Sequence, residues 1–103
     1  MWSSWDFEEI SQEIELIAAS RFNAIRILVP YSQGGWGGAN PPAERLNQLY
    51  NLVNLCGGKG IYSIVTLFDW ETTWPTQDSS LGHDHLSYIR TIVTPFATNP
   101  YIL

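Results

Sequence analysis

The sequence predicts an α/β fold built on a parallel sheet, and three observations carry that expectation. Helical and strand-like patterns alternate along the chain, which is the order of an α/β domain. The strand-like runs are almost wholly apolar, Ala24 to Val29 (AIRILV) and Ile61 to Phe68 (IYSIVTLF), and near-continuous apolar runs suit parallel strands covered on both sides. Strand starts near residues 24, 61 and 101 are separated by 37 and 40 residues. Eight such units make roughly 300 residues, within the range of a closed (β/α)8 barrel, although a doubly wound sheet shows the same alternation. The chain therefore reads as roughly the first three β/α units of a partial barrel, in the order helix, strand, helix, strand, helix, start of a strand.

The first helix is expected from about Asp6 to Arg21, because Phe7, Ile10, Ile14, Ile17 and Ala18 recur at spacings of three and four and so share one face. Ser4 or Asp6 serves as its cap, and acids in its first turns suit the positive end of the helix dipole. The second helix is expected from about Pro42 to Cys56, with Leu46, Leu49, Tyr50, Val53 and Cys56 on one stripe. Pro42 fits a first-turn position and Gly57-Gly58 supplies the stop. The third is expected from about Asp84 to Ala97 through Leu86, Ile89, Ile92, Val93 and Phe96, with Pro95 distorting or ending its last turn. Tyr101-Ile102-Leu103 starts another strand. A strand at the very end and two tryptophans ahead of the first helix lead us to expect that residues 1–103 are a piece of one barrel domain.

Composition narrows the function. With 45% hydrophobic and 15% charged residues, the chain is not disordered by composition. The net charge is −5, and the five basic residues Arg21, Arg26, Arg45, Lys59 and Arg90 are scattered. Nucleic acid is not an expected partner, because backbone phosphates need clustered cations. No apolar stretch approaches the roughly 20 residues that span a bilayer, so no membrane partner is expected. Met1 to Glu9 lack the basic and apolar regions of a signal peptide. A single cysteine, Cys56, cannot form an internal disulfide.

In parallel α/β folds the loops after the strands carry the site. Here they are Pro30 to Pro41 and Asp69 to Gly82, both longer than the common 2–6 residues or so. Trp36 falls in the first, and Trp70 and Trp74 in the second, while Trp2 and Trp5 precede the first helix. All five tryptophans are thus expected at one end of the structure. An indole offers a flat apolar face and one N–H donor, which matches the apolar C–H faces and hydroxyl edges of sugar rings; plugging the end of the sheet is the plain alternative. Arg26 lies within an apolar strand, where a charge needs a partner, so a carboxylate partner is expected, either catalytic or structural.

Asp69 and Glu71 end the second strand, and hydrogen bonding to sugar hydroxyls or to neighbouring loops is the role favoured for Asp69. His83 and His85 resemble a metal pair, but two ligands do not make a site, and no metal is expected. Gly34-Gly35-Trp36-Gly37-Gly38 lacks both the GxxxxGK[ST] lysine and the GxGxxG spacing. It reads as a flexible loop that offers one aromatic, and no cofactor is implied.

These residues resemble a known family. Phe22-Asn23-Ala24-Ile25-Arg26-Ile27 is similar to the G-x-N-x-V-R-I second strand of glycoside hydrolase family 5, the cellulase and mannanase family. Gly60 to Trp70 looks like its third strand. His85-Leu86-x-Tyr88-Ile89-Arg90 through Phe96-x-x-Asn99-Pro100-Tyr101-Ile102-Leu103 looks like its third helix and the lead-in to its fourth strand. This chain has Arg21-Phe22 where the family commonly has a glycine. The resemblance implies a (β/α)8 barrel that hydrolyses β-linked poly- or oligosaccharides with retention, using two glutamates near the ends of strands four and seven. Neither glutamate is in this chain, so no catalytic residue is expected within it. Arg26 matches the family arginine that supports the nucleophile. Trp36, Asp69, Trp70 and Trp74 are the expected substrate-binding residues, a β-linked glycan and the rest of the barrel the expected partners. Two other readings stay open: a carbohydrate-binding barrel without catalysis, and a doubly wound cofactor-binding protein.

Overall fold

A computed structural model describes residues 1–69, 71–76 and 79–103. After a short 3-10 turn at Trp2–Ser4, the order is α1 (Phe7–Ala19), β1 (Ala24–Pro30), α2 (Ala43–Gly58), β2 (Tyr62–Asp69) and α3 (Ser80–Val93), followed by a second 3-10 turn at Thr94–Phe96 that contains Pro95. β1 and β2 pair in parallel from Ala24↔Tyr62 to Val29↔Leu67. The chain end continues that sheet. Ser63 forms a parallel bridge with Ile102, and its amide donates to the Tyr101 carbonyl at 2.8 Å while its carbonyl accepts from Leu103 at 3.0 Å. The expected α/β character and parallel pairing are therefore present.

The two sheet faces differ. Ile27 and Val29 of β1 are buried, and they join Ile10 and Ile14 of α1, Leu49, Leu52, Val53 and Cys56 of α2, and Tyr88 and Ile92 of α3 in one core, while Ser63 of β2 is a buried polar residue. All three helices thus pack on this face, where each fully buried aliphatic side chain contributes about 1.5–3 kcal/mol. On the opposite face Arg26, Leu28, Tyr62 and Ile64 are exposed. The expectation of strands covered on both sides is corrected to cover on one.

Two helix faces differ from expectation as well. In α3 the buried positions are Gly82, His85, Tyr88 and Ile92, while Leu86 and Val93 are exposed. A histidine and a tyrosine hold places that hydropathy assigned to aliphatics. The helix also starts at Ser80, not Asp84, because the Ser79 hydroxyl caps the Gly82 amide at 3.0 Å. In α2 Leu52 is buried and Tyr50 exposed, Tyr50 instead stacking on Phe96 at 6.0 Å between ring centroids.

α1 and α2 end in the same motif. Gly57 and Gly58 lie inside α2, so they are not its stop. The stop is Gly60, at φ +73°, with Gly60 N–H donating to Gly57 and Ile61 N–H to Cys56. α1 closes identically with Arg21 at φ +66°, Arg21 N–H donating to Ala18 and Phe22 N–H to Ile17. This is the Schellman arrangement, which favours glycine at the left-handed position. Arg21 is exposed and occupies that position at a cost of about 1–2 kcal/mol. Arg21→Gly should therefore stabilise the chain by about 0.5–1 kcal/mol, part of the relief being offset by the freer unfolded chain. Urea denaturation of the two forms checks this, and an unchanged or lowered midpoint contradicts it.

Candidate functional site

The C-terminal ends of β1 and β2 carry the densest cluster of aromatic and polar groups, and a β-bulge organises them. Val29 pairs with Leu67, but Pro30 pairs with Asp69, which leaves Phe68 as the extra residue. Phe68 adopts φ +59°, a left-handed conformation that is uncommon and costly for a bulky side chain. The bulge resets the alternation of β2. Partners in a ladder share a face, so Asp69 follows Pro30, Thr66 and Leu28 onto the uncovered face that carries Arg26. Without the bulge, strict alternation would turn Asp69 toward the helices.

Phe68 packs instead among Tyr31, His85 and Tyr88, at ring-centroid distances of 5.7, 4.7 and 4.8 Å. Tyr88 is fully buried, and its hydroxyl joins the two strands. It lies 2.9 Å from the Pro30 carbonyl and 3.1 Å from the Val29 carbonyl, to which it donates, and it accepts from the Phe68 amide at 3.5 Å. The last distance is at the limit for a hydrogen bond, so the carbonyls of β1 carry most of the attachment. Burial pushes the Tyr88 phenol up to about 12. Tyr31 is raised too, by burial first and then by the nearby charges of Asp84 and Glu71.

Each expected site residue has a definite place. Asp69 is half-buried at the end of β2. Trp74 is 64% exposed and meets the Phe68 ring edge-on at 5.7 Å, so its other surface faces solvent. Trp70 lies outside the described residues. Arg26 differs from expectation. It is exposed, its Nε donates to the Thr66 hydroxyl at 2.9 Å, and among the described residues the one ion pair is Lys59–Glu15. The strand leaves one face bare, so the guanidinium does not need a carboxylate to offset desolvation.

Trp36 is the larger correction. It is 0% exposed and packs edge-on against Trp2 at 4.9 Å. It is a core residue and offers no surface to a ligand. The glycines around it are ordered in left-handed conformations, at φ +63° and +78° for Gly34 and Gly35. Arg45 clamps the loop by donating to the Gly34 carbonyl at 2.9 Å, and a β-carbon on Gly35 would come within 2.9 Å of that guanidinium. The glycines thus make room for an arginine and a buried indole, and they do not make a flexible display loop. Trp2 also serves the scaffold, its indole N–H donating to the Leu28 carbonyl at 2.8 Å.

The sequence does not point to Tyr31, Phe68 or Tyr88 as site residues, and it marks His85 only as half of a weak pair with His83. The signal was the spacing of His85, Tyr88, Ile92 and Phe96, which is as regular as the aliphatic stripe chosen in its place. His85 is 94% buried, since 6% of it is exposed, and its Nε2 has no hydrogen-bond partner among the described residues. His83, by contrast, is exposed, so the two histidines do not converge. No group of three metal-ligating side chains occurs among the described residues.

The Tyr88 phenol gives a pH prediction. A folded-state value above that of an unfolded tyrosine means that the stabilisation is fully present below pH about 10 and is lost as pH rises through about 12. Stability should therefore fall across that window. Tyr88→Phe should flatten the slope, leaving the smaller share due to Tyr31, and should lower stability at neutral pH by about 1–3 kcal/mol through the unsatisfied carbonyls. Denaturation at a series of alkaline pH values checks this, and identical slopes in both proteins contradict it.

Compared with protein-family models, with curated proteins and with solved structures, the chain has no match.

Proposed function

We propose that the chain is the glycan-binding first portion of a (β/α)8-barrel glycosidase, acting on β-linked poly- or oligosaccharides with retention in the intact enzyme. The observation that carries this reading is the bulge at Phe68, which turns Asp69 onto the face of Arg26 at the C-terminal ends of two parallel strands. Barrels place their sites at that end, and bulges beside sites commonly re-aim one side chain. Two further features support it. β1, β2 and the bridge at Ile102 follow one another in space as in sequence, with all three helices on one face, as winding of a barrel requires. The resemblance to glycoside hydrolase family 5 also falls on Arg26 and on the stretch ending in Asp69-Trp70.

In this reading Asp69 accepts hydrogen bonds from sugar hydroxyls and the solvent face of Trp74 stacks on a sugar ring. Trp70 follows Asp69 directly in sequence. Arg26 presents a fork of donors toward the centre of the barrel, where a planar guanidinium orients a carboxylate. Trp36 has no part in binding, since its indole is sealed in the core. The two-carboxylate chemistry of retention belongs to glutamates beyond these 103 residues, so the chain binds glycan without cleaving it.

Titration with cello- and manno-oligosaccharides, followed by nuclear magnetic resonance, tests this. The Trp74 indole and the Asp69 amide should shift with millimolar affinity, without release of reducing sugar. Trp74→Ala should weaken binding about fivefold or more, in line with about 1 kcal/mol for an aromatic contact, and should hardly change stability because the side chain is exposed. Absence of any shift at tens of millimolar sugar, or equal binding by the variant, contradicts the proposal.

A further inference from the structure

A groove of about 430 Å3 runs between α2 and the turns that follow α3. It lies beside the start of β2, where the Tyr101 carbonyl accepts from the Ser63 amide at 2.8 Å, and so at the opposite end of that strand from Phe68 and Asp69. α2 contributes Tyr50, Asn54 and Gly58, and the other wall carries Pro95, Asn99 and Tyr101. Among the described residues no charged side chain lines it. Its polar groups are two tyrosine hydroxyls and two amides. Asn99 Oδ1 already accepts from the Tyr101 amide at 2.9 Å, which leaves the NH2 of Asn99 as its free end. The glycines of α2 shape the groove. A β-carbon on Gly57 would come within 3.0 Å of the Tyr101 ring, so Gly57 lets that ring lie against the helix. A β-carbon on Gly58 would meet nothing within 4 Å. The second glycine weakens the helix and makes room for no neighbour; what it leaves is open space at the groove wall.

We propose that this groove receives an uncharged, proline-rich segment of a partner protein in the polyproline II conformation, with two prolines three residues apart. Aromatic-lined grooves take such segments because the ligand is already extended and loses little freedom on binding. Three features select this occupant. The first is spacing. Seven residues separate Tyr50 from Gly57, the residue on which Tyr101 lies, which sets the two tyrosines about 10 Å apart along the helix. Three residues advance a polyproline II chain by about 9 Å, so prolines at that interval meet one tyrosine each. The second is charge. A wall without charge matches a segment without charge, whereas an acidic or basic peptide would lose hydration there and gain no ion partner. The third is hydrogen bonding. A polyproline II backbone makes no internal hydrogen bonds, so its carbonyls accept from the NH2 groups of Asn54 and Asn99 and from the tyrosine hydroxyls. A sugar ring needs an open aromatic face, but Tyr101 packs against Gly57 and the Tyr62 ring, at 5.3 Å between centroids, and Tyr50 stacks on Phe96 at 6.0 Å. No two prolines in these 103 residues are three apart, so a second copy of them does not supply the motif. The inference uses none of the candidate glycan contacts, so it stands or falls separately from the glycosidase reading.

The test titrates the protein with the capped peptide Ala-Pro-Ala-Ala-Pro-Ala and, as a control of equal composition, Ala-Pro-Ala-Pro-Ala-Ala. Side-chain resonances are followed by nuclear magnetic resonance. The rings of Tyr50 and Tyr101 and the NH2 groups of Asn54 and Asn99 should shift saturably with the first peptide. The control fills one tyrosine at a time and should bind at least about tenfold more weakly. Asn54→Ala, at an exposed position, should weaken binding about fivefold, as for the loss of one hydrogen bond. Gly58→Leu extends a side chain into the open space and should abolish the shifts while thermal stability holds or rises, since leucine is the better helix former. Absence of shifts in excess peptide overturns the proposal. So does equal binding of the two peptides, which marks unspecific contact with proline, or unchanged binding by both variants. Larger shifts of the same four residues with cello-oligosaccharide than with peptide also overturn it, and mark a sugar groove instead.

Discussion

One hydroxyl group fixes the end of the sheet where the candidate site lies. Tyr88 reaches from α3 to the Val29 and Pro30 carbonyls of β1 and to the Phe68 amide of β2. It has a single proton to donate, shared between two carbonyls, so its net contribution is about 1–2 kcal/mol. The left-handed conformation of Phe68 costs a similar amount. The hydroxyl and the packing of Phe68 against Tyr31, His85 and Tyr88 therefore suffice to hold a bulge that the backbone alone would not adopt. The placement of Asp69 on the face that carries Arg26 depends on that bulge.

Much of the fold was legible in the sequence. The apolar runs located both strands to within a residue or two, and Tyr101-Ile102-Leu103 does meet the sheet, through the bridge at Ser63. Periodicity found all three helices. It failed where the buried stripe is not aliphatic, as at His85 and Tyr88, whose rings carry polar atoms that hydropathy counts against burial. It failed also where glycines serve a neighbour, since Gly35, at φ +78°, in addition leaves room for the Arg45 guanidinium, and that is invisible until both are placed. The first glycines, Gly57-Gly58, look like the stop of α2, while the left-handed residue is Gly60.

The site was less legible, because its two corrections come from long-range geometry. The apolar strand around Arg26 suggests a buried charge, but a strand covered on one face offers a solvent-exposed position at every second residue. The glycine-rich surroundings of Trp36 suggest display, yet the tight turns fold the indole inward against Trp2. Asp69 owes its orientation to a bulge that no alternation rule predicts. Helices on one face, an exposed opposite face and a free β1 edge make a sheet with further surface to cover, and Asp69 and Arg26 share that uncovered face while Trp74 packs on Phe68.

The most direct test of this account is a set of nuclear Overhauser contacts at the end of β2. The bulged register predicts contacts from the Phe68 ring to the rings of Tyr31 and His85, and from the Asp69 side chain to residues of the Arg26 face such as Leu28 and Thr66. A regular register would reverse them, placing Phe68 over Leu28 and Asp69 against α3, and that result would contradict the account.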